Sequence, residues 1–551
     1  MHRCALVMSS FVALVSCAPM KEQPLFPPCG SNVAGPPTLI PGPGHEGYDD
    51  VLAAAARRHD RQFHALNASA TGLAAEFRVR TDDASAREAV LRFMNEGDGF
   101  DFAAATGRAP ESVGFWSKSA GLYGGVGIAA DAMRYAVLRD SGAACDELDL
   151  ARSQLTRALE ALDVGARIDG ARGPMARSLL RLDLPNDNPT VLTPLFDTAG
   201  APLPADKNNG TWRADQTGRF AQYAWEDSLS RDMLVGWAMA LAVSWEVIEK
   251  DAAFSSDLKQ RLQEDARETV TMLRTTAASG YDLEIQDADG RPTFHATLNE
   301  NSVDRVYLDG AQNGFYALMS LGIVGALSSV ARDDAATRYL SEELLTKRRL
   351  DRMAAASAHL VDMGTASNYS GYNMGFTGGF LAQRYVAGTS APGLIRRAIR
   401  EELYRRPDQP VRQPAEAKQT FFDFIAAPAL AADGREAEWR QAVRQGIETL
   451  KEFPPAPTWN VVRVNCDDAE VRSQQCTLDD GSMVGVLGDV GRNDDLVADR
   501  PIPMRVRPLS NYFWRSNPYQ PNDSATAGGD VLLSTVDFRV AYWLGRWLRA
   551  P

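Results

Sequence analysis

Two hydrophobic patterns alternate along this chain. The stretch Trp225–Ile248, WEDSLSRDMLVGWAMALAVSWEVI, opens on the charged residues Glu226, Asp227, Arg231 and Asp232 and is then apolar on every side to its end. A helix that is apolar all round is buried all round. The next stretch, Ser256–Arg274, places Leu258, Leu262, Ala266, Val270 and Leu273 near i, i+4 and i+8 and fills the rest mostly with charged and amide side chains. That spacing predicts a surface helix with one buried face. An inner helix followed by an outer one is an αα-hairpin.

The same alternation recurs. Outer-type helices are predicted at Tyr48–Leu66, Asp146–Val164, Asp251–Thr275, Ala335–Val361, Pro392–Tyr404 and Glu436–Phe453. Inner-type segments fall at Trp116–Leu138, Ser228–Ile248, Tyr307–Val330, Ser370–Val386, Thr420–Ala431 and Ser534–Leu548. Six outer–inner pairs predict an all-α (α/α)6 toroid, with long loops and small β-hairpins at one face. The glycines of GLYGGVG (Gly121, Gly124, Gly125, Gly127) lie in an apolar helix with no strand before it. They read as packing positions rather than a phosphate loop. This order of helices resembles the six-hairpin glycosidase-like toroid from Tyr48 to the C-terminus. The closing segment Arg507–Tyr519, followed by Asp537 and Tyr542-Trp543-Leu544-Gly545-Arg546, is similar to the ending of uncharacterised bacterial toroid proteins.

Loop lengths select a working face. Inner-to-outer connections are short, as at Glu249–Asp251 and Ala331–Asp333, whereas outer-to-inner connections are long: Asn67–Gly114, Gly165–Asp227, Thr276–Val306 and Pro454–Leu533. Long loops in a compact domain are usually functional. Function is therefore expected at the mouth formed by the inner-helix N-termini. Hairpin signals occur at Tyr281–Gly290, at Val191–Phe196 and at Val461–Val464.

Composition places the chain. Across 551 residues the net charge is −13 and no basic run occurs, which excludes a nucleic-acid partner. His2-Arg3 and the apolar Cys4–Val15 read as a signal segment. Leu14-Val15-Ser16-Cys17 resembles a bacterial lipobox, which implies lipidation at Cys17 and a protein anchored through lipid to the cell envelope, at the outer membrane. The expected division is a signal peptide over 1–17, a Pro/Gly-rich tether over 18–47 and the toroid over 48–551. Cys466 and Cys476 bracket a short polar stretch and are expected to form a local disulfide. Cys29 and Cys145 could pair, with nothing in the sequence to show it. No CxxC, HExxH or GxSxG occurs, and neither a metal site nor a cofactor is expected.

The mouth gathers acids, arginines and aromatics, a mixture suited to a poly- or oligosaccharide. Glycoside hydrolysis needs one carboxyl group as acid and a second as base or nucleophile. Asp227 or Asp232, paired with Asp309 or Asp304, is the candidate catalytic set. Trp116, Trp225, Arg231, Asn368, Tyr369, Tyr372, Trp514 and Arg515 are the candidate substrate contacts. A polysaccharide lyase, with Tyr369, Tyr372 or His295 as base and Asn368 or an arginine as charge neutraliser, is the alternative enzyme. A glycan- or protein-binding surface lipoprotein without catalysis is the third reading.

Overall fold

The computed structural model describes residues 25–187, 191–407, 412–461, 470, 473–521 and 528–551. Twelve principal helices follow one another as outer–inner pairs. They are α1 (Asp50–Gln62), α2 (Gly121–Asp140), α3 (Cys145–Arg167), α4 (Arg231–Ile248), α5 (Ser256–Arg274), α6 (Gly314–Ala331), α7 (Leu350–Ser357), α8 (Tyr369–Tyr385), α9 (Ala391–Arg397), α10 (Thr420–Ala431), α11 (Glu436–Lys451) and α12 (Val536–Trp547). The even-numbered helices form the inner ring in chain order, and α12 closes it by packing on both α10 and α2. The chain is an (α/α)6 toroid, as its sequence pattern predicts.

Local chemistry starts these helices. Asp49 caps α1 through Leu52 N at 2.9 Å, Ser255 caps α5 and Asn313 caps α6. Each side-chain oxygen satisfies an N–H that the first helical turn leaves open. Of the eighteen residues of α6, only Ser329 is not fully buried. Its apolar length would cross a membrane, but it spends that surface on neighbouring helices.

Glycine sets the inner ring's spacing. A Cβ on Gly125 of α2 would lie 2.2 Å from the Gly236 backbone of α4, and one on Gly322 of α6 would lie 2.1 Å from the Gly378 carbonyl of α8. Gly125 is therefore a helix-crossing point, while the other glycines of GLYGGVG pack against side chains, Gly121 and Gly124 on Trp237 and Gly127 on Val536.

The long loops carry more sheet than the hairpin signals suggest. Ser119–Ala120, Ser178–Arg181, Tyr223–Glu226 and Trp212–Ala214 make a four-stranded antiparallel sheet in that spatial order, with Leu179 opposite Trp225. Val531–Leu532, Phe77–Val79 and Gly114–Trp116 make a three-stranded one. The signal at Tyr281–Gly290 becomes the hairpin Glu284–Gln286 with Pro292–Thr297, and that at Val191–Phe196 leads to a bridge between Phe196 and Pro202. Most of the Val461–Val464 signal lies outside the described residues.

The N-terminal stretch is not a free tether over its described part. Cys29 is disulfide-bonded to Cys145 at the start of α3. Leu39 and Ile40 are buried, and their N–H groups donate to Leu548 O and Gly545 O at 3.0 and 2.9 Å. Proline and glycine lower helix propensity here without lowering apolar content, so the strap docks as irregular chain. Cys17 lies outside the described residues, and so does Cys466. Cys476 is disulfide-bonded.

Ring closure rests on Arg539 of α12. Its Nε donates to Asp60 Oδ1 of α1 at 2.6 Å, and its Nη2 reaches Asp131 of α2 and lies 3.2 Å from His64 Nε2. The guanidinium sits 3.9 Å from the Phe63 ring centroid. All these polar side chains are buried. Burial works against the Asp131 carboxylate, but Arg539 and His64 hold its pKa below the usual range. Burial also pushes His64 down to about 4, which keeps it neutral at physiological pH.

Removing one partner of a buried ion pair leaves the others desolvated and unpaired, at about 3–5 kcal/mol. Arg539→Met should lose stability of that order in urea unfolding. The double change Arg539→Met, Asp131→Asn leaves Asp60 paired with Arg134 and should recover most of it, and failure to recover would show that Arg539 acts by packing alone.

Candidate functional site

The inner-helix N-termini meet in a rim of half-buried polar side chains. Tyr123 stands in the first turn of α2, Asp232 in that of α4 and Ser370 in that of α8. Arg515, from the loop before α12, spans the rim. Its Nη1 donates to Tyr123 Oη at 2.5 Å and its Nε to Ser370 Oγ at 3.1 Å. Tyr123 in turn donates to Asn511 Oδ1 at 3.3 Å. The Asn511 side chain also hydrogen-bonds the Glu76 carboxylate. Below the rim, Tyr512, Phe513 and Trp514 are buried, packed on α8 and α10 and fixed by bonds from Phe513 N and Trp514 Nε1 to Asp537. The rim is a polar surface on a rigid aromatic plug.

The two carboxylates on this rim differ in surroundings. Burial raises the Glu76 pKa, which Asn511 only partly offsets and Asp187 reinforces. Asp232 accepts from Ser230 Oγ at 2.5 Å, while Arg177 Nη1 donates to that same Ser230 hydroxyl at 3.0 Å. Burial first, then the nearby charge of Asp232, raises the Tyr123 pKa, while Arg515 lowers it. Glu76 is thus biased toward its protonated form and is linked by hydrogen bonds through Asn511 to Tyr123, on which Asp232 acts through its charge alone.

Beside Asp232, Arg231 donates to the Asp304 carboxylate at 3.0 Å and to its carbonyl at 2.8 Å. The guanidinium lies 5.0 Å from the Tyr316 ring. His295 Nδ1 is 3.8 Å from Asp304, and burial followed by Arg231 lowers its pKa. Asp304 is exposed at the turn between the short strands Ser302–Val303 and Val306–Tyr307, with φ of 52°.

The remaining sequence candidates lie elsewhere. Asp227 has no exposed surface. It accepts from Arg213 Nη2 at 2.6 Å, Lys207 Nζ at 3.3 Å and Thr211 N at 2.8 Å, pinning the four-stranded sheet to the Asp287–Asp289 turn. Burial ahead of neighbouring Asp227 pushes Asp287 up to about 6, against the pull of Lys207. Asp309 is exposed and holds the Tyr281 hydroxyl, whose ring stacks on Tyr307 at 4.0 Å.

Trp116, Trp225 and Trp514, expected as sugar platforms, are core side chains whose indole N–H groups donate to the carbonyls of Leu66, Ala214 and Asp537. A ring that can bury 150–250 Å² is worth more in the core than on a loop (about this range for aromatic side chains generally). Tyr369 and Tyr372 are buried, and Asn368 caps α8 through Ser370 N. Asp232, Arg231 and Arg515 remain at the rim. Glu76, Tyr123 and Asn511 were not among the sequence candidates. For Tyr123 a signal existed: it is the polar-tipped side chain in the first turn of an otherwise apolar inner helix.

The raised Glu76 pKa has a consequence for stability. Between the unfolded value, about 4.3 for a glutamate, and the higher folded value, the native state binds more protons than the unfolded one. Stability then falls as pH rises through that window. Glu76→Gln removes this loss, so the variant should be more stable than wild type at pH 7 and the difference should vanish below the ordinary glutamate range. A pH-independent difference in melting would contradict the assignment.

No family model matches the chain, and no curated protein matches it. Among solved structures, a sugar epimerase from a ruminal bacterium overlaps 78% of this chain and 92% of its own, at 10% identity and a TM-score of 0.40. The endoglucanase CelQ from Clostridium thermocellum, complexed with cellotetraose, overlaps 79% of this chain at 12% identity and a TM-score of 0.37. This chain spans about 63% of that endoglucanase's length.

Proposed function

We propose that the rim is a carbohydrate-processing site and that its reaction is glycoside hydrolysis. Glu76 is the proton donor to the leaving oxygen, and Asp232 is the base or nucleophile. The observation carrying this reading is the Glu76 carboxyl, biased toward protonation and hydrogen-bonded through Asn511 to Tyr123, with the Asp232 carboxylate acting by its charge on the same tyrosine above a packed plug. Arg515 and Arg231 supply donors for sugar hydroxyls. Asp227 is assigned to structure, because its carboxylate is enclosed by Arg213 and Lys207.

One observation favours a second reaction on the same residues. The Tyr123 hydroxyl receives a hydrogen bond from Arg515 and donates to Asn511. A tyrosine base beside an arginine and an asparagine that neutralise a uronate carboxylate is the arrangement a polysaccharide lyase needs.

We place the protein at the cell envelope, anchored through Cys17. The docked strap then gives the anchor a short reach. Cys29 is fixed to α3, so the twelve residue steps from position 17 to the disulfide span roughly 40 Å at most. The rim lies at the opposite end of the toroid from the strap and would face away from the membrane.

The test is turnover by the mature protein on neutral, acidic and acetylated polysaccharides, with reducing ends and unsaturated products read together. New reducing ends without unsaturation support hydrolysis. Glu76→Gln and Asp232→Asn should then each lower kcat by about 10²–10⁴-fold without loss of melting temperature, whereas Asp227→Asn should lower melting instead. Unsaturated products lost in Tyr123→Phe would replace hydrolysis by the lyase reaction.

A further inference from the structure

A large cavity lies away from the rim. It occupies the opposite end of the toroid, about 940 Å³ between the C-terminal halves of α2, α4, α8, α10 and α12 and beneath the docked strap. Its apolar floor includes Phe380, Ile425 and Pro428, and its wall carries Trp547, Tyr542 and Tyr48. Tyr48 and Val33 are exposed at its edge.

The charges lining this cavity are nearly all committed. Arg384 is paired with Glu246 and lies 4.0 Å from the Trp547 ring; Arg139 is paired with Asp140 and Asp251, Arg134 with Asp60, and Arg57 with Glu147. Arg546 and Arg549 are the exceptions among the arginines, and Arg549 is exposed. Among the described residues no carboxylate pairs with Arg546; its Nη1 meets Tyr542 Oη at 3.3 Å, and its buried Nε has no partner. The strap passes directly over it at Gly42, where a Cβ would lie 2.8 Å from Nη2. On the same cavity wall, Gln383 presents a buried amide oxygen with no donor. A guanidinium with no carboxylate partner, an amide oxygen with no donor and an aromatic wall are thus brought together in one chamber.

We propose that this chamber is a second ligand site, for a short acidic oligosaccharide. A sugar carboxylate takes the Arg546 guanidinium, a hydroxyl donates to Gln383 Oε1, and the ring faces lie on Trp547 and Tyr48. Arg546 presents the planar fork that a carboxylate matches. The volume falls within the usual range for small-ligand pockets, about 300–1,000 Å³. That the ligand is a sugar rests on the function proposed for the rim; that it is an anion rests on Arg546 alone. The strap forms the roof, and the Cys29–Cys145 disulfide holds it there.

The experiment is calorimetric titration of the folded protein with a galacturonate trimer and with the neutral galactose trimer, in an Asp232→Asn background that keeps the ligand intact. The acidic trimer should bind saturably and the neutral one should not. Arg546→Gln should weaken binding by about tenfold or more, the loss of one charge-assisted contact, and Gln383→Leu should weaken it less. If Arg546→Gln does not fold, Arg546→Lys keeps the charge without the fork and should still weaken binding. Equal binding of both trimers, no saturable binding at millimolar ligand, or binding indifferent to Arg546 and Gln383 would each overturn the proposal. The two readings fail separately. Reducing ends without trimer binding would sink the chamber alone, and Arg546-dependent binding without turnover on any polysaccharide would sink the rim alone.

Discussion

Everything at either end of this molecule depends on how the last inner helix meets the first two helices of the toroid. Sequential αα-hairpins give an open arc, and a ring exists only when residues near 540 pack on residues near 60 and 130. Arg539 makes that junction with two carboxylates, a neutral histidine and a phenylalanine face, all out of water. Apolar side chains alone would hold α12 against α2 in several registers. A buried charge set with fixed geometry accepts one, at a cost in desolvation. The phase of α12 about its axis follows, and with it the positions of Asp537 on one side and Tyr542 and Arg546 on the other.

Those positions separate the two ends. Above Arg539, Asp537 receives Phe513 N and anchors the aromatic plug that carries Arg515 to Tyr123 and Ser370. Below it, Trp543 donates to Asp60, and Arg546 turns into the chamber roofed by the strap. The same helix thus closes the lumen at the rim and leaves it open at the opposite end. The glycine crossings of α2 on α4 and of α6 on α8 act in the same direction. They bring backbones into contact, so these helix pairs leave no side-chain gap between them.

The architecture was legible because burial is written in periodicity. An all-apolar helix and a one-faced helix differ over any two turns, and their alternation needs no long-range information. The rim residues were partly legible for the same reason: Asp232, Arg231 and Arg515 stand where an inner helix or its preceding loop must reach the mouth. Asp227 and the three tryptophans were misplaced because type and sequence position do not say which way a loop side chain turns. Asp227 lies five residues from Asp232, yet Arg213 and Lys207, fourteen and twenty residues upstream, draw it into the sheet. Glu76 gave no sign at all. Its significance comes from Asn511, more than four hundred residues away, and from desolvation that exists only after the ring has closed.

The strap makes the same point from the other side. Its composition is that of a linker, and composition judges a segment by what it lacks: helix formers and periodicity. It has what docking requires, two adjacent apolar residues at 39 and 40 and a cysteine within reach of Cys145. A strap that spends its backbone hydrogen bonds on the ends of α2 and α12 cannot also be a free spacer. It therefore ties the N-terminal stretch to the chamber end of the toroid, and the rim, at the far end, stays clear of that attachment.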